Sequence, residues 1–166
     1  MDATLFDQIA SKLRLTSDVS LVLASLEEFT DTLFAPNAAT EQQQIFRKLP
    51  KEIADILSKA LTSIPVTPEN QITIKREINA LSDKLRACKS ITLTLAFQPD
   101  DATISLFSDW IKKNIRADLL IDLQFDTSIV GGVLLIADGA YKDYSVRKKL
   151  ADRFQIQREE IVGLLN

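Results

Sequence analysis

The chain has 166 residues, 46% of them hydrophobic and 26% charged, with a formal net charge of −3. That composition supports the core of one domain or two small ones and excludes wholesale disorder. Its 20 basic residues are spread along a mildly acidic chain, which speaks against nucleic acid as a partner. There is no histidine and only one cysteine, Cys88. This removes the Ser-His-Asp and Cys-His constellations and any internal disulfide, and argues against a metal site. No apolar run approaches the ~18 residues that cross a bilayer, so no direct membrane insertion is expected. The opening Met1-Asp2-Ala3-Thr4-Leu5 shows no targeting leader.

The first part of the chain reads as helices. Leu5, Ile9 and Leu13 suggest a short first helix, and Ser17-Asp18 a cap for a second. The second carries Val19, Val22, Leu26, Phe29 and Leu33, one apolar stripe at helical spacing. Thr40 is a candidate cap for a third with Ile45 and Phe46. Pro50 opens a fourth with Ile53, Ile56, Leu57, Ala60 and Leu61 inward. Thr67-Pro68-Glu69 combines cap, first-position proline and first-turn acid, and starts a fifth with Ile74, Ile78, Leu81 and Leu85.

At Lys89 the period changes. Ile91-Thr-Leu93-Thr-Leu95-Ala-Phe97 alternates strictly, the pattern of a half-buried strand. Pro99-Asp100-Asp101 begins a helix bearing Ile104, Leu106, Phe107, Trp110 and Ile111. Strands follow at about 118–125, 133–137 and 140–144, the last two joined by the hairpin signal Asp138-Gly139. Ser145 caps a last helix with Val146, Leu150 and Phe154, and a further apolar segment (Ile156, Ile161, Val162, Leu164, Leu165) closes the chain. The fold class is α+β: an N-terminal antiparallel helical bundle, residues 1–88, then a small C-terminal βαββα domain, residues 89–166.

Each candidate for chemistry has a structural reading beside it. Gly131-Gly132 lacks the following Lys-Ser/Thr of a phosphate-binding loop and suits a bulge or tight turn into a strand. Ser145 reads as a helix cap and Asp143 as support for the same turn, rather than as a catalytic pair. The basic run Arg147, Lys148 and Lys149, with Arg153, reads as a solvated helix face, with an acidic partner helix as the alternative. Asp100 and Asp101 suit a helix N-terminus. Trp110 is expected in the core rather than at an interface, and Cys88 as a plain buried or linker thiol.

The stretch Asp126-Thr127-Ser128-Ile129-Val130-Gly131-Gly132-Val133, then Asp138-Gly139, then Asp143-Tyr144-Ser145-Val146-Arg147-Lys148-Lys149-Leu150 resembles the C-terminal region of the F-type ATP synthase delta subunit family. In mitochondria that family is called the oligomycin-sensitivity-conferring protein. The resemblance covers about residues 89–154. The opening Thr4-Leu5-Phe6-Asp7-Gln8-Ile9 departs from the family's usual start, the helical part is somewhat short, and Tyr144 stands where a glycine is usual.

The resemblance implies a non-catalytic stator subunit with no cofactor, metal or small-molecule substrate. Its helical part would bind the alpha subunits of the catalytic hexamer, and its C-terminal part the b subunits of the peripheral stalk. It marks Asp126, Ile129, Gly131, Gly132, Asp143, Ser145, Arg147 and Leu150 as motif residues, structural or partner-binding. It also implies a peripheral position at the cytoplasmic face of the cell membrane, and the missing leader gives a bacterial origin as the expectation. The rival readings are a generic helical protein–protein interaction adaptor unrelated to ATP synthase and a small-molecule- or nucleotide-binding α+β enzyme.

Overall fold

The computed structural model describes residues 3–33, 44–62, 70–116 and 118–164. Helices come first: α1 (Ala3–Lys12), α2 (Thr16–Thr32), the 3-10 turn η1 (Phe46–Lys48), α3 (Lys51–Thr62) and α4 (Gln71–Arg86). The expected starts at Thr40 and Thr67-Pro68-Glu69 lie outside the described residues. These elements share one core. The whole α2 stripe, Val19 to Leu33, is buried with Ile9 and Leu13 of α1 and its end, Ile53 and Leu57 of α3, and Ile78 and Leu85 of α4. The rings of Phe29 and Phe46 stack with centroids 5.6 Å apart.

The start of α2 differs from the Ser17-Asp18 cap expected from sequence. The helix begins at Thr16, and Asp18 sits inside its first turn. There its carboxylate accepts from the backbone N–H groups of Leu15 (2.9 Å) and Arg14 (3.1 Å). Asp18 thus closes the turn from the N3 position, satisfying donors that the helix leaves unpaired.

A four-stranded sheet follows: β1 (Ser90–Leu95), β2 (Leu120–Phe125), β3 (Val133–Ala137) and β4 (Ala140–Asp143), in the order β2-β1-β3-β4. β1 and β2 are parallel, joined through α5 (Asp101–Asn114); the other pairings are antiparallel. A parallel pair needs a crossover and a hairpin does not. Asp138 (φ 47°) and Gly139 (φ 78°) make the two-residue hairpin turn. α5 starts at its N-cap Asp100, whose carboxylate accepts from Thr103 N–H at 2.9 Å and is held below the usual carboxylate range by that bond.

Phe107 and Ile111 of α5 cover the sheet face that carries Ile91, Leu93, Ile121, Leu123, Val133 and Leu135. Trp110 does not join them. It is 58% exposed, and Leu106 is exposed as well. The expectation of a core tryptophan fails because α5 meets the sheet along one narrow stripe, and Trp110 lies beside that stripe.

The helical part and the sheet meet at β2. Neighbouring residues on a strand face opposite ways; Ile121 enters the core under α5, and Leu120 enters the helical core. The elbow between α1 and α2 lies along the same strand. Leu15 forms a parallel bridge with Ile121, and Ile121 N–H donates to Arg14 C=O at 2.9 Å. The Lys112 ammonium donates to the carbonyls of Ser11 (2.9 Å) and Leu13 (2.6 Å), closing the C-terminus of α1. Arg14 reaches Ser105 Oγ (2.7 Å) and Asp101 (2.9 Å) on α5.

The last helix, α6 (Val146–Leu164), is a single element that takes in the apolar segment at 156–164. Every α6 side chain from Val146 to Arg158 is exposed.

Candidate partner-binding site

The residues marked by the motif converge where β2 ends, β3 begins and α6 leaves β4. Asp126 follows β2, and its N–H donates to Leu95 C=O at 3.0 Å. Its carboxylate accepts from Ser128 N–H at 2.8 Å, and that bond holds it below the usual carboxylate range. Its carbonyl accepts from Ile129 N–H at 3.2 Å. The loop into β3 is therefore folded back on itself.

Gly132 needs to be glycine. Its φ is 93°, and a Cβ there would stand 2.4 Å from the carbonyl oxygen of Tyr144 and 2.8 Å from Ser145 Cα. The close approach lets Tyr144 N–H donate to Val133 C=O and Val146 N–H to Gly131 C=O, both at 2.9 Å. The space beside the glycine pair is filled by the root of α6.

Ser145 is buried at 5% exposure, and its hydroxyl accepts from Lys148 N–H at 3.2 Å. It is the N-cap of α6. Asp143 accepts from Ser145 N–H at 2.8 Å, a bond that lowers its pKa. Both carboxylates therefore hold backbone. Among the described residues no group of three Asp, Glu or Cys side chains is placed to hold a metal ion.

Asp126, Ile129, Leu134, Tyr141, Asp143 and Arg147 line a shallow hollow of about 200 Å³. Gly131 and Gly132 pack against the root of α6 at Tyr144, Ser145 and Val146, and Leu150 stands one turn along α6, 50% exposed. The motif residues are thus gathered in one corner, with Leu150 at its margin. Sequence reading missed Val130, Leu134 and Tyr141 as members. The signal was there for Tyr141: it pairs with Ile136 across the hairpin, and both are exposed on the sheet face that α5 does not cover.

A family model described as ATP synthase delta (OSCP) subunit matches residues 5–155. This stretch runs through the helices, the sheet and the root of α6. The chain belongs to the ATP synthase delta (OSCP) family. The family is a structural, non-catalytic subunit of the ATP synthase peripheral stalk. Comparison with curated proteins finds no match. Solved structures that match include a chain of the Toxoplasma gondii mitochondrial ATP synthase hexamer. It is 18% identical, with 85% of this chain and 83% of that one covered and a TM-score of 0.35. The family assignment rests on the match over 5–155.

Proposed function

We propose that this protein is the stator clamp of an F-type ATP synthase, linking the catalytic hexamer to the peripheral-stalk b subunits so that proton-driven rotation is turned into ATP synthesis. The family match across both the helical part and the sheet carries this reading. The helical part (1–88) meets the alpha subunits, and the sheet with α6 (89–166) meets the b subunits. A stator needs two firm interfaces and a stiff body between them, and no reactive group. Support for the stiff body comes from the elbow, where Arg14, Lys112 and Leu120 tie the helices to the sheet. Support for a C-terminal interface comes from the exposed Tyr141, Leu150 and Phe154 around the motif corner. The protein is held peripherally by these contacts. Among the described residues no helix is long and apolar enough to cross a membrane.

The test is to tag the protein in its own host, solubilise membranes gently and identify what co-purifies. Alpha, beta and b subunits in the eluate support the clamp. Their absence, with other proteins present, overturns it.

A further inference from the structure

We propose that the first turns of α6, residues 146–158, dock an amphipathic helix whose apolar stripe is bordered by acidic side chains. This rests on the stator reading and names the chemistry of the C-terminal partner.

At 3.6 residues per turn, Val146, Leu150 and Phe154 fall within about 80° of one another. All three are exposed, Phe154 by 67%. Lys149 and Arg153 follow one border of this stripe, and Arg147 and Arg158 the other. The only acid between 146 and 158 is Asp152. It lies on the far face, where it pairs with Lys148 at 3.1 Å. Among the described residues Lys148 alone of these five cations forms an ion pair. Among the described residues Lys149, Arg153 and Arg158 therefore carry positive charge with no acid paired to them, while Arg147 stands near Asp143; flanking cations of this kind select an oppositely charged helix.

The root of the helix is fixed. Gly131 C=O, the Ser145 hydroxyl and the Asp143 carboxylate each take a backbone N–H there, so α6 is presented in one orientation over roughly 20 Å. A second copy is disfavoured as the occupant, since α6 against α6 brings basic borders together. A lipid surface is disfavoured by width. Lys149 and Arg153 separate Val146, Leu150 and Phe154 from the exposed Ile156, which leaves a seam narrower than the apolar face of an interfacial helix.

The experiment uses the full chain and two fluorescein-labelled synthetic peptides of four heptads, both with Ile at a and Leu at d. One has Glu at e and g, the other Lys. By fluorescence anisotropy the Glu peptide binds at least about ten-fold tighter at low salt, and the advantage collapses near ~0.5 M salt. The double variant Lys149→Glu/Arg153→Glu reverses the preference, and Phe154→Ser weakens binding of the Glu peptide. Circular dichroism and the melting temperature check that both variants fold. Equal binding of the two peptides overturns the proposal, as does a double variant with no change in preference. Binding to phosphatidylserine vesicles in place of the Glu peptide also overturns it. If ATP synthase subunits co-purify with the protein but the peptide preference is absent, the α6 proposal fails and the stator reading stands. If the preference holds and those subunits are absent, the stator reading fails.

Discussion

The elbow between α1 and α2 and the helix α6 both border the sheet, but their surfaces meet different surroundings. At the elbow the polar groups are used internally. Lys112 closes the last carbonyls of α1, Asp18 closes the first N–H groups of α2, and Arg14 C=O takes the N–H of Ile121. The otherwise open edge of β2 is covered, which removes a site for unwanted strand pairing. At α6, among the described residues, the hydrogen bonds to the sheet and its loops stop after the first turn, and the side chains from Val146 to Arg158 face outward. One region builds a continuous body and the other offers a surface. A clamp under torque needs both, because force passes through the first and is received by the second.

The largest expected effect is at the root of α6. Gly132→Ala places a Cβ against the backbone of Tyr144 and Ser145 at a φ that disfavours it, and costs about 3–4 kcal/mol in urea unfolding. A cost under about 1 kcal/mol would show that the root yields, and that α6 is not held in one orientation. Next is Leu120→Ala, which removes the one β2 side chain in the helical core. It lowers stability by about 2–3 kcal/mol. If the helices and the sheet lean on each other, it also separates their unfolding transitions by far- and near-ultraviolet circular dichroism.

Lys112→Met keeps the stem and deletes the donor to Ser11 and Leu13. A loss of about 1–2 kcal/mol is expected, with faster amide exchange at Ile121 as the local sign that the elbow has lifted. The α6 root also responds to acid. The Asp143 pKa is lowered by its hydrogen bond from Ser145, so its contribution is present above the ordinary aspartate value of 3.8. It is lost as pH falls through the lowered folded value. Amide exchange at Ser145 rises over that range, and Asp143→Asn removes the dependence. Smallest is Leu150→Ser on the exposed stripe, which changes stability by less than about 0.5 kcal/mol. A loss comparable to that of Leu120→Ala would mean that α6 is packed internally after all, and would erase the contrast.

Much of this protein was legible in the sequence. The stripe from Val19 to Leu33 is buried as its spacing requires, and the alternation from Ile91 to Leu95 is a strand with its odd positions inward. Asp138-Gly139 makes the hairpin turn and Ser145 caps α6, while the C-terminal order found is βαβββα, one strand more than the expected βαββα. These features are local: they depend on backbone preference and side-chain period, which a single stretch of chain carries by itself. Tertiary structure alone decided that Leu119-Leu120-Ile121 is apolar without alternation because β2 is buried on both faces where it enters the sheet. It also decided that Trp110 lies outside the stripe covering the sheet, and that Lys112 closes a helix about a hundred residues away. Those facts concern what one element meets on another, and no spacing within a single element records the face its neighbour will occupy.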